Sequence, residues 1–316
     1  MQSSESPILG NSESTDERAT MQAPREFQGR VLENSESTDS KRAIMQARHE
    51  FLAHLPPDTP EYKYAGISSM REATAKESHR FLHQDSTSPY IIFTAISPQE
   101  VTDNDENFPG RTDYSRPLQI LILSMPSLPH EEAAGLFDRI LDRKAVEMKV
   151  HRLLSFRRAT DSKTSNRNKE ADCSYAPREL PAGRSDKWPT VAVEVGYSET
   201  REKLKSDAAF WLNGSSGDVL TAITIDIKRS GNIYIIRWKR PAVVGNPNPE
   251  PEVVQEIKIC RGKGGQAANL TGDELRIPFQ HMMLRDPGPG EGDFVITRDE
   301  LLHDLADAIW YGMDHK

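Results

Sequence analysis

The sequence predicts an α/β fold in which helices flank a mixed central sheet, and three segments carry this expectation. The run Thr190–Val195 is β-branched and lies between turn residues, which predicts a strand. Apolar residues recur at spacings of three and four across Ser127–Met148, which predicts a long amphipathic helix. A second helix is expected after Ser198, which can cap it, and two more strand-like runs follow that helix. Helices that alternate with strands in this way are typical of α/β folds.

Composition narrows the classes of protein to which the chain can belong. A length of 316 residues allows one large domain or two small ones. A net charge of −8 argues against a generally basic nucleic-acid-binding surface, although local basic patches stay open. Because Cys173 and Cys260 are the only cysteines, a disulfide scaffold and a cysteine-rich zinc module are excluded. No apolar run approaches the ~20 residues that cross a bilayer, and the start of the chain lacks the layout of a secretory signal, so we expect an intracellular protein, cytoplasmic or nuclear, with no membrane partner.

Residues 1–55 read as a low-complexity tail that contains a duplicated segment. Ser12–Asp16 recurs as Ser35–Asp39, and Arg18–Ala23 recurs with one change as Arg42–Ala47. Each copy can form a short helix with a Ser-Thr-Asp cap. The alternative, which we favour, is a tandem duplication inside a disordered or loosely helical tail, because two copies are too few to bury a continuous face.

The rest of the chain divides by composition into an extension and a main domain. Residues 56–112 are rich in Pro, Ser, Thr and charge, so we expect irregular structure there, interrupted by a strand at Tyr90–Ile96. Residues 113–316 are expected to form the main domain, with a core at about 127–240. The chain ends in a predicted helix that opens with the capping box Thr297–Glu300.

Glu194 is the residue of the predicted strand that most needs a physical explanation. The valines of the strand share one face, whereas Glu194 and Gly196 share the other. A buried carboxylate is costly without a partner, so either this is an edge strand with Glu194 in water or the carboxylate has a partner. The functional alternative pairs it with Asp172, which opens a short predicted strand. Two such carboxylates can hold Mg²⁺, which would activate a water and stabilise charge on a phosphodiester.

Three segments of this region resemble a known family. Asp172–Tyr175, Trp188–Glu199 and Lys203–Leu212 are similar to a broad family of uncharacterised fungal proteins. These in turn resemble the restriction-endonuclease-like PD-(D/E)XK nuclease superfamily, especially its large bacterial branch of candidate restriction endonucleases. The resemblance covers roughly residues 115–240. It implies a helix with an acidic residue, then a three-stranded meander whose second strand brings Asp and whose third brings Glu-x-Lys, then a helix and a further strand.

The resemblance also implies a site and a cofactor. Acidic residues of the meander and of the first helix would hold Mg²⁺ or Mn²⁺, and lysines of the following helix would assist the attacking water. The implied metal ligands are Asp172, Glu194 and Glu132, with Glu131 as the alternative to Glu132, and the implied catalytic residues are Asp172, Glu194, Lys203 and Lys205.

The sequence departs from the family pattern at several positions. The lysine expected two residues beyond Glu194 is replaced by Gly196. In the bacterial branch a lysine on the next helix stands in, but the aligned position here is Asp207. The residue before the first acid is Ala171 rather than proline, and no convincing first meander strand follows Met148. These departures bear on activity more than on fold.

Two functions therefore compete. The first is a Mg²⁺-dependent nuclease that hydrolyses DNA phosphodiesters through Asp172 and Glu194, with the basic stretch Arg143–Lys169 as a phosphate-contacting surface. The second is a catalytically degenerate nuclease-fold protein that serves as a nucleic-acid or protein interaction module, and Gly196 and Asp207 favour it. The basic stretch is equally well explained as a solvated loop at a helix end.

Overall fold

The computed structural model consists of two units, Met1–Ala47 and Arg48–Lys316. The described part of the first unit is the beginning of a helix that continues into the second, and this helix contains the second copy of the duplicated segment. The first copy and the rest of residues 1–25 lie outside the described residues. The structure describes residues 26–83, 85–157, 161–262, 264 and 266–315, with only the backbone for 26–38 and 161–163.

The elements are numbered along the chain. The helices are α1 (Glu26–Leu52), α2 (Ile67–Leu82), α3 (Pro98–Asn104), α4 (Leu128–Glu147), α5 (Arg201–Gly214), α6 (Phe279–Met283) and α7 (Asp307–Asp314), with a 3-10 helix at Asp105–Asn107 and a π-helical segment at Glu300–Ala306. The strands are β1 (Glu61–Lys63), β2 (Tyr90–Thr94), β3 (Arg111–Ser115), β4 (Ile120–Ser124), β5 (Leu154–Phe156), β6 (Asp161–Lys163), β7 (Arg167–Glu170), β8 (Cys173–Pro177), β9 (Val191–Tyr197), β10 (Thr221–Ile227), β11 (Ile233–Lys239), β12 (Glu252–Cys260), β13 (Asn269–Thr271), β14 (Leu275–Ile277) and β15 (Phe294–Ile296).

A six-stranded sheet, here called sheet 1, takes two of its strands and the start of a third from the segment that was expected to be irregular. Its strand order is β1-β2-β4-β3-β7-β6, and α2 and α3 lie between its first strands in the chain. The expectation of irregular structure for 56–112 was therefore wrong, although the strand expected at Tyr90–Ile96 is present as β2. The polar composition of this segment led to the wrong prediction because some of its serines and prolines start helices. Ser97 forms a capping box with Glu100, and Pro98 is the first residue of α3.

The larger, seven-stranded sheet, here called sheet 2, has the order β13-β12-β11-β10-β9-β8-β5. After α4, the strands β5, β8 and β9 pair antiparallel, and α5 then leads to β10, which is parallel to β9. This order of helix, meander, helix and strand is the one that the resemblance implies, and the predicted α/β class with mixed sheets flanked by helices is confirmed. The first meander strand, β5, escaped sequence analysis because it is only three residues long.

Strand β9 lies inside sheet 2 and is buried along its whole length. The valine face packs into the core with apolar residues of α4 such as Phe137 and Ile140. The opposite face, which includes Ala192 and Glu194, is covered by α5 with Ala208 and Trp211. The alternative that Glu194 faces water on an edge strand is therefore excluded.

Helix α5 begins two residues later than expected. Thr200 rather than Ser198 is its N-cap, because the Thr200 hydroxyl accepts a hydrogen bond of 3.1 Å from the Lys203 amide. Ser198 instead ends the β9 segment in a left-handed conformation with φ of 67°. Among the described residues, the structure contains no helix that is both long and apolar enough to cross a membrane.

The predicted capping box at the end of the chain is present. The Thr297 hydroxyl accepts from the Glu300 amide, and Glu300 accepts from the Thr297 amide at 2.8 Å. Glu300 also lies 2.7 Å from Lys144 Nζ and 2.9 Å from Arg143 Nη2, so it joins α4 to the terminal helix. Burial opposes ionisation of Glu300, but these hydrogen bonds outweigh it and lower its pKa to about 2.

We expect Glu300→Gln to lower the free energy of unfolding by about 1–2 kcal/mol at neutral pH, because glutamine can still complete the capping box but cannot form the partly buried ion pairs with Lys144 and Arg143. The wild-type contribution is present above the ordinary pKa of 4.5 and is lost as pH falls towards about 2, whereas the variant lacks this acid dependence. Urea unfolding between pH 3 and pH 7 measures it. Asp299→Asn, at a side chain that is 87% exposed, is the control, and equal loss in both variants would contradict the prediction.

Candidate functional site

The structure brings the two predicted acids, Asp172 and Glu194, to the same cavity. Cys173 is opposite Val193 in the antiparallel pair of β8 and β9, so the residue before Cys173 falls opposite Glu194. Side chains that face each other across such a pair lie on the same side of a sheet. Both carboxylates line a cavity of about 30 Å³, which has room for one or two water molecules.

The Asp172 carboxylate contacts three groups from three different elements. Its Oδ1 lies 2.8 Å from Arg111 Nε of β3 and 3.2 Å from His130 Nε2 of α4. Its Oδ2 accepts a 2.6 Å hydrogen bond from the Val195 amide of β9. Burial alone would raise the pKa of Asp172, but His130 and Arg111 hold it well below its usual range. Asp172 is therefore a buried anion with two cationic partners from the chain itself.

His130 is protonated in this arrangement. Burial alone would lower the pKa of a histidine, but the Asp172 carboxylate raises the pKa of His130 to about 10. Glu131 adds a second contact at 3.1 Å from His130 Nδ1 and also lies 2.9 Å from Arg111 Nη1. The charge on the imidazole is consequently fixed through the neutral pH range.

Glu194 has a different environment from Asp172. Its Oε1 accepts a 2.5 Å hydrogen bond from the indole Nε1 of Trp211 on α5, and its Oε2 lies 3.4 Å from Lys169 Nζ of β7. Burial is the largest influence and raises the pKa of Glu194 to about 8, although Lys169 opposes this shift. Burial thus favours the protonated form of Glu194, against the effect of the nearby Lys169 ammonium group.

Asp207 completes the cluster from α5. Its carboxylate lies 2.5 Å from Lys203 Nζ, one helical turn away, and 3.3 Å from Lys169 Nζ. A neighbouring ion pair joins Arg167 of β7 to Asp113 of β3 at 2.5 Å, and it holds the pKa of Asp113 at about 2 against the effect of burial. The position that aligns with the lysine of the bacterial branch is thus an acid that binds lysines from two other positions.

A side chain at Gly196 would crowd residues that already occupy the space where the lysine of the family motif would start. A Cβ atom placed there would lie 3.0 Å from the Glu199 carboxyl group and 3.0 Å from Leu204. Glu199 is itself buried, which raises its pKa to about 7, and Tyr90 of β2 donates a hydrogen bond to it. A buried acid therefore occupies the space beside the position where the motif lysine would start.

The remaining predicted site residues fall in different places. Lys203 lines the cavity, but Lys205 lies on another face of α5, 43% exposed and 2.5 Å from Glu250. Glu132 is not among the cavity-lining residues, whereas Glu131 reaches the cluster through Arg111. Within the described part of the chain, no group of three or more histidine, cysteine, aspartate or glutamate side chains is arranged to hold a metal ion.

The basic stretch Arg143–Lys169 is largely used inside the molecule. Arg143 lies 2.7 Å from Asp304 at the terminal helix. At the other end of the stretch, Arg167 and Lys169 belong to the buried cluster. Arg158 and the side chain of Lys163 lie outside the described residues. The exposed members of the stretch include Lys149 and Arg152.

Comparison with known proteins gives one result about structure. No family model matches the chain, and no curated protein matches it. Among the solved structures that match is a crystal structure from Anabaena variabilis, described as a candidate nuclease belonging to DUF820. It is 13% identical, and the match covers 48% of this chain and 82% of that chain with a TM-score of 0.31. A score of this size does not establish a common fold, so the fold class here rests on the strand order given above.

We expect Glu194→Gln to change the pH dependence of stability. The folded carboxyl group titrates near 8 and the unfolded one near 4.5, so the wild type loses stability as pH rises between these values. Glutamine can still accept from Trp211 but does not titrate. Between about pH 5 and 8, the variant should gain roughly 2–4 kcal/mol relative to the wild type in urea unfolding.

Glu256→Gln is the matched control for this experiment, because Glu256 forms an exposed ion pair with Arg201. Its free energy difference from the wild type should stay nearly constant over the same pH range. A constant difference for Glu194→Gln as well would mean that Glu194 is ionised throughout.

Proposed function

We propose that this chain is a catalytically degenerate nuclease-fold protein that acts as an interaction module. The observation that carries the proposal is the environment of Asp172, whose carboxylate contacts Arg111, His130 and the Val195 amide. A carboxylate binds Mg²⁺ with lone pairs that are free to face the ion. Here one oxygen is shared by two cations and the other accepts a backbone N–H, so the chain's own charges take the place that a divalent ion would need.

The charge state of the other acids supports the same proposal. Burial raises the pKa of Glu194 to about 8, and a carboxyl group that favours its protonated form is a poor ligand for a hard cation. Asp207 is paired with Lys203 and Lys169. Adding a dication beside these two ammonium groups would be electrostatically unfavourable in a buried site. The residues as arranged therefore do not fit Mg²⁺ or Mn²⁺, and we assign no hydrolytic step to them.

Access to Glu194 is also restricted. Arg111, Thr112 and Asp113 of β3 and Ile122 of β4 line the cavity, so sheet 1 lies over the acid pair. The cavity of about 30 Å³ between the acids has no room for a phosphodiester together with an attacking water. Asp172 also borders an open pocket of about 510 Å³ beside α4, but Glu194 does not line that pocket. This coverage favours binding on an outer surface over chemistry at the acid pair.

A metal-dependent nuclease remains the second candidate, and one observation favours it. Asp172 and Glu194 are opposite each other, and Lys203 lines the same cavity. Hydrolysis of DNA by this set requires Arg111 and His130 to leave Asp172 when Mg²⁺ or Mn²⁺ enters, with Lys203 then near the attacking water. The alternative thus depends on a rearrangement that opens sheet 1.

With the acid pair covered, the proposed partner would bind on the exposed surface of the chain. In the nucleic-acid form of the proposal, DNA contacts the stretch Arg143–Lys169 through exposed residues such as Lys149 and Arg152. In the protein form, the partner binds elsewhere on the exposed surface. The salt dependence of binding distinguishes the two forms. Contacts with DNA phosphates release counterions, so the logarithm of the binding constant then falls linearly and steeply with the logarithm of the salt concentration.

Plasmid nicking with Mg²⁺ or Mn²⁺ tests the proposal. We expect the wild type, Asp172→Asn and Glu194→Gln to give the same background, because no metal site is available in any of them. Glu250→Gln, at an exposed surface pair, serves as the matched control, and thermal unfolding confirms that each variant is folded. Metal-dependent nicking by the wild type and the control, lost in both acid variants, would overturn the proposal in favour of the nuclease.

A further inference from the structure

An open pocket of about 620 Å³ lies at one end of sheet 2 and shares no lining residue with the acid cavity. Its walls come from β11, β12, the loop before β14 and the start of the terminal helical segment. Three arginines line it, together with two carboxylates. They are Arg237, Arg276 and Arg298, and Asp273 and Glu274. The charged lining therefore carries a surplus of one positive charge.

Among these residues, Arg237 of β11 has a buried donor without a hydrogen-bond partner. Its Nε is buried, and no described residue accepts a hydrogen bond from it. None of the described carboxylates forms an ion pair with its guanidinium group, and burial lowers its pKa with only Asp293 opposing the shift from a distance. The side chain as a whole is only partly buried, but its Nε is closed off from water, so an anion in the pocket would satisfy a donor that the described residues leave unpaired.

An irregularity in sheet 2 directs Arg237 towards the pocket. Arg237 is opposite Gln255, but the next residue, Trp238, is opposite Val253, so Val254 is an extra residue in β12. Bulges of this kind turn neighbouring side chains and occur often beside binding sites. The Gln255 amide is held by the Glu274 carbonyl and the Arg276 amide, which fixes the opposite wall.

The other two arginines keep most of their charge available. Arg298 donates to the carbonyl oxygens of Gly272 and Leu270, which orients it without neutralising it. Arg276 is 53% exposed, and its nearest carboxylate oxygen among the described residues belongs to Asp293 at 3.6 Å. Such a long, exposed pair contributes little. Three guanidinium groups thus surround the pocket without a carboxylate that satisfies them.

We propose that this pocket binds a small molecule through one oxyanion group, a phosphate or a carboxylate, with Arg237 as its principal ligand. Guanidinium groups bind both oxyanions through paired N–H donors, which is why arginine serves this role better than lysine. Asp273 and Glu274 in the lining repel further negative charge. The fitting ligand therefore carries a single anionic group, and a polyanion such as nucleic acid is disfavoured.

Isothermal titration calorimetry of the full chain with inorganic phosphate and, separately, acetate tests this proposal at constant ionic strength. We expect saturable binding of at least one anion to the wild type, and a loss of affinity of at least about tenfold in Arg237→Gln. Lys239→Gln on the same strand is the matched control, because it also removes one charge but from an exposed pair with Glu252. It should bind as the wild type does.

A second variant keeps the test decisive if Arg237→Gln does not fold. Arg237→Lys retains the charge but not the paired donors, so it should bind more weakly than the wild type and more strongly than Arg237→Gln. Binding of phosphate alone identifies a phosphorylated ligand, and binding of acetate identifies a carboxylate. No saturable binding to the wild type, or equal binding by all variants, would overturn the proposal and leave the proposed function of the chain untouched.

Discussion

The contact of Asp172 with Arg111 and His130 is the interaction on which the arrangement of the site depends. One buried negative charge joins β3 of sheet 1, the first turn of α4 and the amide of Val195 in β9. Removing the acid would leave two buried cations without their partner, which is far more costly than the loss of a surface ion pair. The same carboxylate therefore fixes how sheet 1 lies over sheet 2, and it does so with the group that the superfamily pattern assigns to a metal.

Under the proposed function, the cluster around this contact lets a nuclease-like framework lose its chemistry and keep its fold. A metal site needs unpaired carboxylates, whereas a stable buried cluster needs each carboxylate to be paired or protonated. Lys169 serves both Glu194 and Asp207, and Lys203 adds a second contact to Asp207. The positive charges of these side chains thus compensate the buried carboxyl groups, as a bound metal ion would. The acid pair can then be retained for stability with no contribution from catalysis.

The sequence predicts the parts of the site that depend on local pattern and misses those that depend on long-range pairing. Strands β8 and β9 and the helices α4 and α5 follow from periodicity and from the resemblance, which also points to the two acids, whereas the three-residue strand β5 was missed. Arg111 and Lys169 reach the site only because β3 pairs with β7, and no local repeat reports such a pairing. Lys205 could have been set aside from the sequence, because Lys203 and Asp207 are four residues apart on one helix face and Lys205 is not on it. The oxyanion pocket likewise assembles from segments distant in the chain.

The central claim is that the chain's own cations occupy the acid pair, and Mn²⁺ paramagnetic broadening in amide NMR spectra tests it most directly. The Val195 amide donates to Asp172 at 2.6 Å, so it would be among the first signals to disappear if an ion were bound there. The account predicts that this signal and the Trp211 indole signal persist at millimolar Mn²⁺. Selective loss of both signals in the wild type, with recovery in Asp172→Asn, would contradict it.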